Sequence, residues 1–339
     1  MATMTDAAMR LEDWAKLSKS EITQGLTVSL YATDSILKDV PFKNDPSLKA
    51  TGVRITPNGL PNPTYGAINE TPQAVRTTTE QHQESAYLIR ENVKIDKRFV
   101  SMKGLLTNPI EVQMKGLLEA WARRLNTDAV QNDPLSPTGN KLAPIGWLPR
   151  MLNPTKYGHV AECAINCAGV NMSATMTKSS AIAFFVFLDQ ALDYMNASDG
   201  SGVVLYMSDF MFRAISMAGK IMDNGSGLSV TKDNYDHQIM TYQGAKLRKI
   251  GRQLDDVTRI ISYTETTDGT QQVGGNCTSI YGIKYGSTDV LGWHDGAFDL
   301  EKVGMDTSGI FHVFLMDYLF GFYHSHTRTL TRLSGIKIQ

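Results

Sequence analysis

Hydrophobic and polar positions recur along the chain with two different periods, and the switches between them mark the elements. From Tyr87 to Phe99 the odd positions include Tyr87, Ile89, Val93, Ile95 and Phe99, while Arg90, Asn92, Lys94, Asp96 and Arg98 fill the even ones. A period of two is that of a half-buried strand, about 40 Å long if regular. The period then turns helical. Asn108 is placed to cap, Pro109 suits the first turn, and Glu111 completes a capping-box spacing. Ile110, Met114, Leu117, Leu118, Trp121 and Leu125 make one apolar stripe opposite Lys115, Glu119, Arg123 and Asp128. This predicts a helix reaching Val130, about 30 Å long.

Residues 131–156, rich in Pro, Asn and Gly, read as a linker or boundary. A second α+β lobe follows. Helices are predicted over Ser180–Met195 and Asp209–Met222, the latter with Met211, Ala214, Ile215, Ala218 and Met222 in one stripe. Strands are predicted at Val203–Met207, Gln238–Tyr242, Ala245–Ile250, Arg259–Thr264 and Thr278–Tyr285. The segment Ile310–Ile338 reads as two long strands broken near Gly321.

The N-terminal part is different. Ala7, Leu11, Trp14, Ala15 and Ser18 form a narrow helical stripe suited to packing on a partner. Ser18 and Glu21 have capping-box spacing for a second helix through Ile22, Leu26 and Leu30, weakened by Gly25. All 12 prolines precede Lys156, and six of them fall between Pro41 and Pro72. Proline fixes φ and cannot donate to a ladder, so this stretch reads as an extended arm or loose hairpin. Neither arm nor hairpin has the apolar content to bury itself.

Composition narrows the function classes. With 339 residues, 42% apolar and 20% charged, the chain is long enough for two lobes and ordinary for a globular protein. The longest strongly apolar run, Ala181–Leu188, is well short of the roughly 20 residues of a membrane span. No secretory signal pattern opens the chain. Three cysteines, Cys163, Cys167 and Cys277, fit a reducing compartment better than a disulfide framework. A net charge of −1 lacks the basic surplus of a protein that grips phosphates, so any DNA partner is enclosed or lightly touched.

The strong catalytic signatures are missing: no GxSxG, HExxH, Walker A or GxGxxG occurs. His159, Cys163 and Cys167 would share a face if helical, but without a fourth ligand they read as packing rather than zinc. His324 and His326 read as a half-exposed strand face, and Asp255–Asp256 as a solvated loop. Gly219–Lys220 reads as a helix end, and Asn224–Gly227 as a loop. Lys246, Arg248 and Arg252 form a basic stripe read chiefly as a solvated face. No catalytic, cofactor-binding or metal residue is assigned.

Several segments in this order resemble the Hong Kong 97-type major capsid proteins of tailed bacteriophages. Leu17–Phe42 looks like the arm of these proteins, and Gly52–Glu70 like their E-loop, with Arg54, Leu60, Pro61, Asn69 and Glu70 at the characteristic positions. Val93–Val100 looks like the strand entering the spine helix. His237–Gly251, Ser279–Gly286 and Thr329–Ile338 look like strands of the axial domain and the chain's close. Each segment is weak alone; their joint order covers nearly the whole chain. The resemblance implies an α+β Hong Kong 97-like capsid fold. Its parts would be an N-arm (1–41), an E-loop (42–83), a peripheral domain with the spine helix (84–135 and 308–339) and an axial domain (136–307). It implies a non-enzymatic subunit of hexamers and pentamers enclosing double-stranded DNA. A portal and a scaffolding protein in trans would be partners, with room for a decoration protein, and no membrane or cofactor. The shell would form in the bacterial cytoplasm. Assembly contacts are expected at Leu11 and Trp14 in the arm and at Arg54, Leu60, Pro61, Asn69 and Glu70 in the hairpin. The arm-like pattern begins within ten residues of Met1, so scaffolding is expected to act in trans and without N-terminal processing. The Lys–Asn crosslink of some relatives cannot be matched residue by residue. The competing readings are an encapsulin-like nanocompartment shell and a soluble two-lobe enzyme.

Overall fold

The computed structural model describes residues 36–338 apart from 57–58, 67, 72–73, 99–108, 198, 223–226, 233–237 and 297–298. The expected arm contacts Leu11 and Trp14, the Ser18–Glu21 box, the Asn108 cap and most of the Asn224–Gly227 loop lie outside the described residues.

The alternating segment is β4 (Tyr87–Asp96), and it pairs antiparallel along its whole length with β13 (Phe311–His324). Two more strands share the other edge of β13. β12 (Asp299–Met305) takes its first half and β11 (Val290–His294) its second, and β1 (Phe42–Asn44) adds parallel to β11. Across this five-stranded sheet lies the long helix α1 (Pro109–Gln131). Its stripe does what the spacing requires. Leu118, Trp121, Ala122, Leu125 and Ala129 are buried in one core with Ile95, Phe314, Met316 and Phe320, while Lys115 and Glu119 face outward.

The second sheet has seven strands, with β5 (Ala164–Asn166), β14 (Leu330–Lys337), β10 (Cys277–Lys284), β6 (Val203–Met207), β9 (Ala245–Lys249), β8 (Gln238–Tyr242) and β7 (Leu228–Lys232) in that spatial order. Helices α3 (Lys178–Tyr194) and α4 (Asp209–Ile221) pack on one face. Each starts at a capping side chain: Thr177 Oγ1 accepts from the Ser180 amide and Ser208 Oγ from the Met211 amide. The other face joins the first core, because Val204, Tyr206, Tyr281 and Ile283 turn toward α1's lobe while Val203, Leu205 and Ile280 turn toward α3 and α4. A sheet covered on both faces explains why Val203–Met207 is apolar without alternation.

Four sequence expectations change. Residues 131–156 are not merely a linker. They contain α2 (Trp147–Leu152), whose Trp147 ring lies 5.0 Å from that of Tyr206 in the shared core. Pro149 sits within the first turn, where a missing donor breaks no helical bond. Arg259–Thr264 forms no strand. Ile260 and Ile261 are buried, and the segment is held by the side chains of Arg259 and Tyr263 on Asp209. The closing strands break at residues 325–329, not at Gly321. Gly321 lies mid-strand because any Cβ there would collide with the Trp293 ring packed over it. Finally, β14 belongs to the seven-stranded sheet, and β11 and β12 to the five-stranded one, so sheet membership crosses the boundary expected at residue 308.

Candidate assembly surface

The proline-rich stretch is a long antiparallel hairpin. β2 (Lys49–Ile55) pairs with β3 (Thr79–Ser85) from Lys49↔Ser85 to Ile55↔Thr79, and residues 56–78 form the tip. Thr56 and Thr78 exchange contacts through Gly59 to close the neck. Two strands alone are marginal in water, so the hairpin depends on what its root touches.

The side of the strand pair turned to the body is buried and charged. Arg54, on the face of β2 turned to the body, donates from Nε to Glu80 Oε1 at 2.6 Å and from Nη2 to the Tyr157 carbonyl at 3.3 Å. Gly158 follows with φ +68°, and a side chain there would strike the Arg54 guanidinium. Four residues further along β3, toward the hairpin's base, Glu84 Oε1 receives Arg150 Nη2 of α2 at 2.8 Å and lies 3.0 Å from His82 Nε2. Burial raises the Glu84 carboxyl's pKa, but Arg150 and His82 outweigh it and hold that pKa below the ordinary value. Beneath these groups the rings of His159 and His324 meet edge to face at 5.4 Å. Burial, and then the neighbouring cations Arg150 and Arg54, hold His159 down at about 3. His324 is pushed well below its usual value by the same burial, with Arg150 and His159 beside it.

The outer part of the hairpin has the opposite character. Val53 is 72% exposed, Leu60 73% and Ile68 95%, and Tyr65, Val75 and the flanking Leu48 and Leu88 are also exposed. Water-facing aliphatic side chains concentrated on one projection form a surface suited to burial against another molecule. The structure brings the expected contact residues to two different places. Arg54 is buried on the body-facing side of the hairpin, one pair short of its neck, and acts on its own chain. Leu60, Asn69 and Glu70 lie exposed on the tip, with Pro61 half-buried beside them, and Asn69 adopts φ +75°. Sequence reasoning missed Glu84, Arg150 and the histidine pair as one unit. Their positions in the chain carry no shared pattern.

The arm's root is pinned as well. Asp39 accepts Arg248 Nη2 at 3.1 Å and the Tyr206 hydroxyl at 3.2 Å, and the Ile36 amide donates to Asn126 Oδ1 at 3.1 Å. Arg248 is therefore an anchor for the incoming chain and not a solvated charge. The other candidates resolve as packing. His159, Cys163 and Cys167 share no α-helix, since Cys163 ends a one-turn 3-10 helix (Ala161–Cys163) and Cys167 follows β5, and burial lifts the two thiols to about 11 and about 12. His324 is 3% exposed, not half-exposed, because its ring packs against His159 beneath Glu84 and Arg150. Asp255 and Asp256 are loop residues, as expected. Among the described residues no group of three His, Cys, Asp or Glu side chains could hold a metal ion, and no helix is long and apolar enough to cross a membrane.

No protein-family model matches the chain, and no curated protein matches it. Solved structures do. The chain is similar to the holo-SrpI encapsulin of Synechococcus elongatus PCC 7942, with TM-score 0.58 and 9% identity over 90% of this chain and 89% of that one. It is similar to the capsid of a native GTA particle, with TM-score 0.56 and 11% identity over 90% of each chain. The capsid of Myoviridae Phage XM1 gives TM-score 0.54 and 11% identity over 89% of this chain and 91% of that one. The fold is thus the α+β Hong Kong 97-type shell fold. The long helix, the hairpin and the two sheets described above are its parts in this chain.

Proposed function

We propose that this chain is the major capsid protein of a tailed bacteriophage, assembling as hexamers and pentamers into an icosahedral shell around double-stranded DNA. One observation supports it most. A chain with the shell fold carries a hairpin whose root is locked into the body while its tip exposes Leu60, Tyr65 and Ile68. A self-contained enzyme has no use for such a projection. A subunit whose hairpin lies over its neighbour buries it, and many such contacts made together reinforce one another.

In this reading the arm covers residues 1–41, the E-loop 42–83, and the two lobes the remainder. The peripheral lobe takes α1 with β4, β11, β12 and β13, to whose sheet β1 at the start of the E-loop adds an edge, and the axial lobe takes the seven-stranded sheet. Leu11, Trp14, Leu60, Pro61, Asn69 and Glu70 serve as intersubunit contacts, and Arg54 sets the hairpin's angle. Portal, scaffolding protein acting in trans, and any decoration protein are the further partners, and assembly takes place in the host cytoplasm. The similarity to an encapsulin favours a second reading, a protein nanocompartment. Electron microscopy of the purified protein together with a nuclease-protection assay tests both. Closed shells holding protected DNA in infected cells support the capsid. Closed shells holding protein cargo support the compartment. A small soluble oligomer that never closes overturns both.

A further inference from the structure

The body-facing side of the hairpin contains more ionisable groups than an anchor needs. From β2 comes Arg54; from β3 come Glu80, His82 and Glu84; from α2 comes Arg150. The turn before β5 supplies His159, and β13 supplies Tyr323 and His324, with Tyr87 of β4 close to Glu84 and Arg150. Two guanidinium groups and three imidazoles thus share this face with two carboxylates, and all but Glu80, whose side chain is 37% exposed, are largely shut away from water. Arg150 and Glu84 are 3% and 5% exposed in their side chains, and His159 is 1% exposed. The carboxylates are already taken, Glu80 by Arg54 and Glu84 by Arg150 and His82. A proton arriving on His159 or His324 therefore meets guanidinium groups and the other imidazole, with no free anion to receive it.

We propose that this cluster is an acid-sensitive hinge: protonation of the His159–His324 pair releases the root of the β2–β3 hairpin from the body while both lobes stay folded. The lobes have their own apolar cores, whereas the hairpin meets the body through these polar contacts and the Tyr323 ring beside Gly52 and His82. Release moves the two rings toward water and separates Arg54 from the Tyr157 carbonyl and from His159. The inference rests on the shell reading for its use, since it makes the angle of the assembly hairpin adjustable before a neighbour covers it.

The direction follows from linkage. A histidine held below its ordinary value in the docked state contributes fully above about pH 6.5, and the contribution erodes as pH falls toward the docked value of about 3. Each histidine then lowers the docked-to-released ratio by up to about tenfold per pH unit. Glu84, held below its ordinary value, acts only at lower pH, when its carboxylate takes up a proton.

The test uses unassembled full-length subunits carrying spin labels at Tyr65→Cys on the tip and Lys141→Cys on the body, since the three native cysteines are buried. Electron-spin distances are measured from pH 7.5 to 4.5 beside circular dichroism. The expected result is one narrow distance at pH 7.5 that broadens and shifts reversibly below pH 6.5 while helix content holds. The variant carrying His159→Phe and His324→Phe is expected to keep the narrow distance to pH 4.5. If that variant does not fold, His159→Gln is expected to halve the steepness of the response. An unchanged distance in the parent, release only together with loss of helix, or a variant that responds as the parent does would each overturn the hinge. Because no assembly is involved, such a result leaves the shell reading intact, and that reading fails separately if no particle forms.

Discussion

Arg150 of α2 and Glu84 of β3 meet at 2.8 Å with neither side chain more than 5% exposed, and through this pair the hairpin is fixed to the body. Breaking a buried pair from one side leaves the other charge without compensation. Arg150→Met is expected to cost about 3–5 kcal/mol. Adding Glu84→Leu to it should restore most of that loss, because both charges are then gone. Urea unfolding of the two variants against the parent checks this, and a double variant no more stable than the single one would refute the pairing.

The hairpin tip should behave in the opposite way. Leu60, Tyr65 and Ile68 contribute nothing to the isolated subunit's core. Changing all three to Ser is expected to leave the unfolding free energy within about 0.5 kcal/mol of the parent. Shell yield, read by sedimentation, should fall steeply. A triple variant that assembles as well as the parent would remove the tip from the interface.

Trp121 sits 6% exposed where α1 crosses the first sheet. Trp121→Ala is expected to destabilise the subunit by about 3–5 kcal/mol through lost burial and the cavity left behind. An unmoved denaturation midpoint would contradict the packing of α1.

Gly321→Ala tests a different part of β13. The added methyl must displace the Trp293 ring, whose Nε1 donates to the Ser47 carbonyl at the foot of the hairpin. Overpacking of this kind is expected to cost about 1–3 kcal/mol. Trp293 fluorescence should shift with it; neither change appearing would show that the ring moves freely.

Chelation should leave stability and assembly unaltered. A zinc site built on Cys163 and Cys167 would need their thiolates, and burial lifts the two thiols to about 11 and about 12. Loss of particles in chelator, restored by zinc, would reverse this reading.

Elements whose cause is local are legible in the chain alone. The period of two in Tyr87–Asp96, the stripe from Leu117 to Leu125, and the proline spacing that forbids a compact helix before residue 73 all act within a few residues. Each is visible as a pattern because one side of the element meets water and the other does not. Tertiary structure alone decided the rest. Trp147 and Arg150 looked like linker because six residues of helix show no period. β13 runs through Gly321 because a tryptophan from another strand needs the space. Arg54, Glu84, Arg150, His159 and His324 converge only because β3, α2 and β13 are brought together by pairing across more than two hundred residues of chain. Their chemistry depends on shared burial, and burial is a property of the packed molecule rather than of any stretch of its sequence.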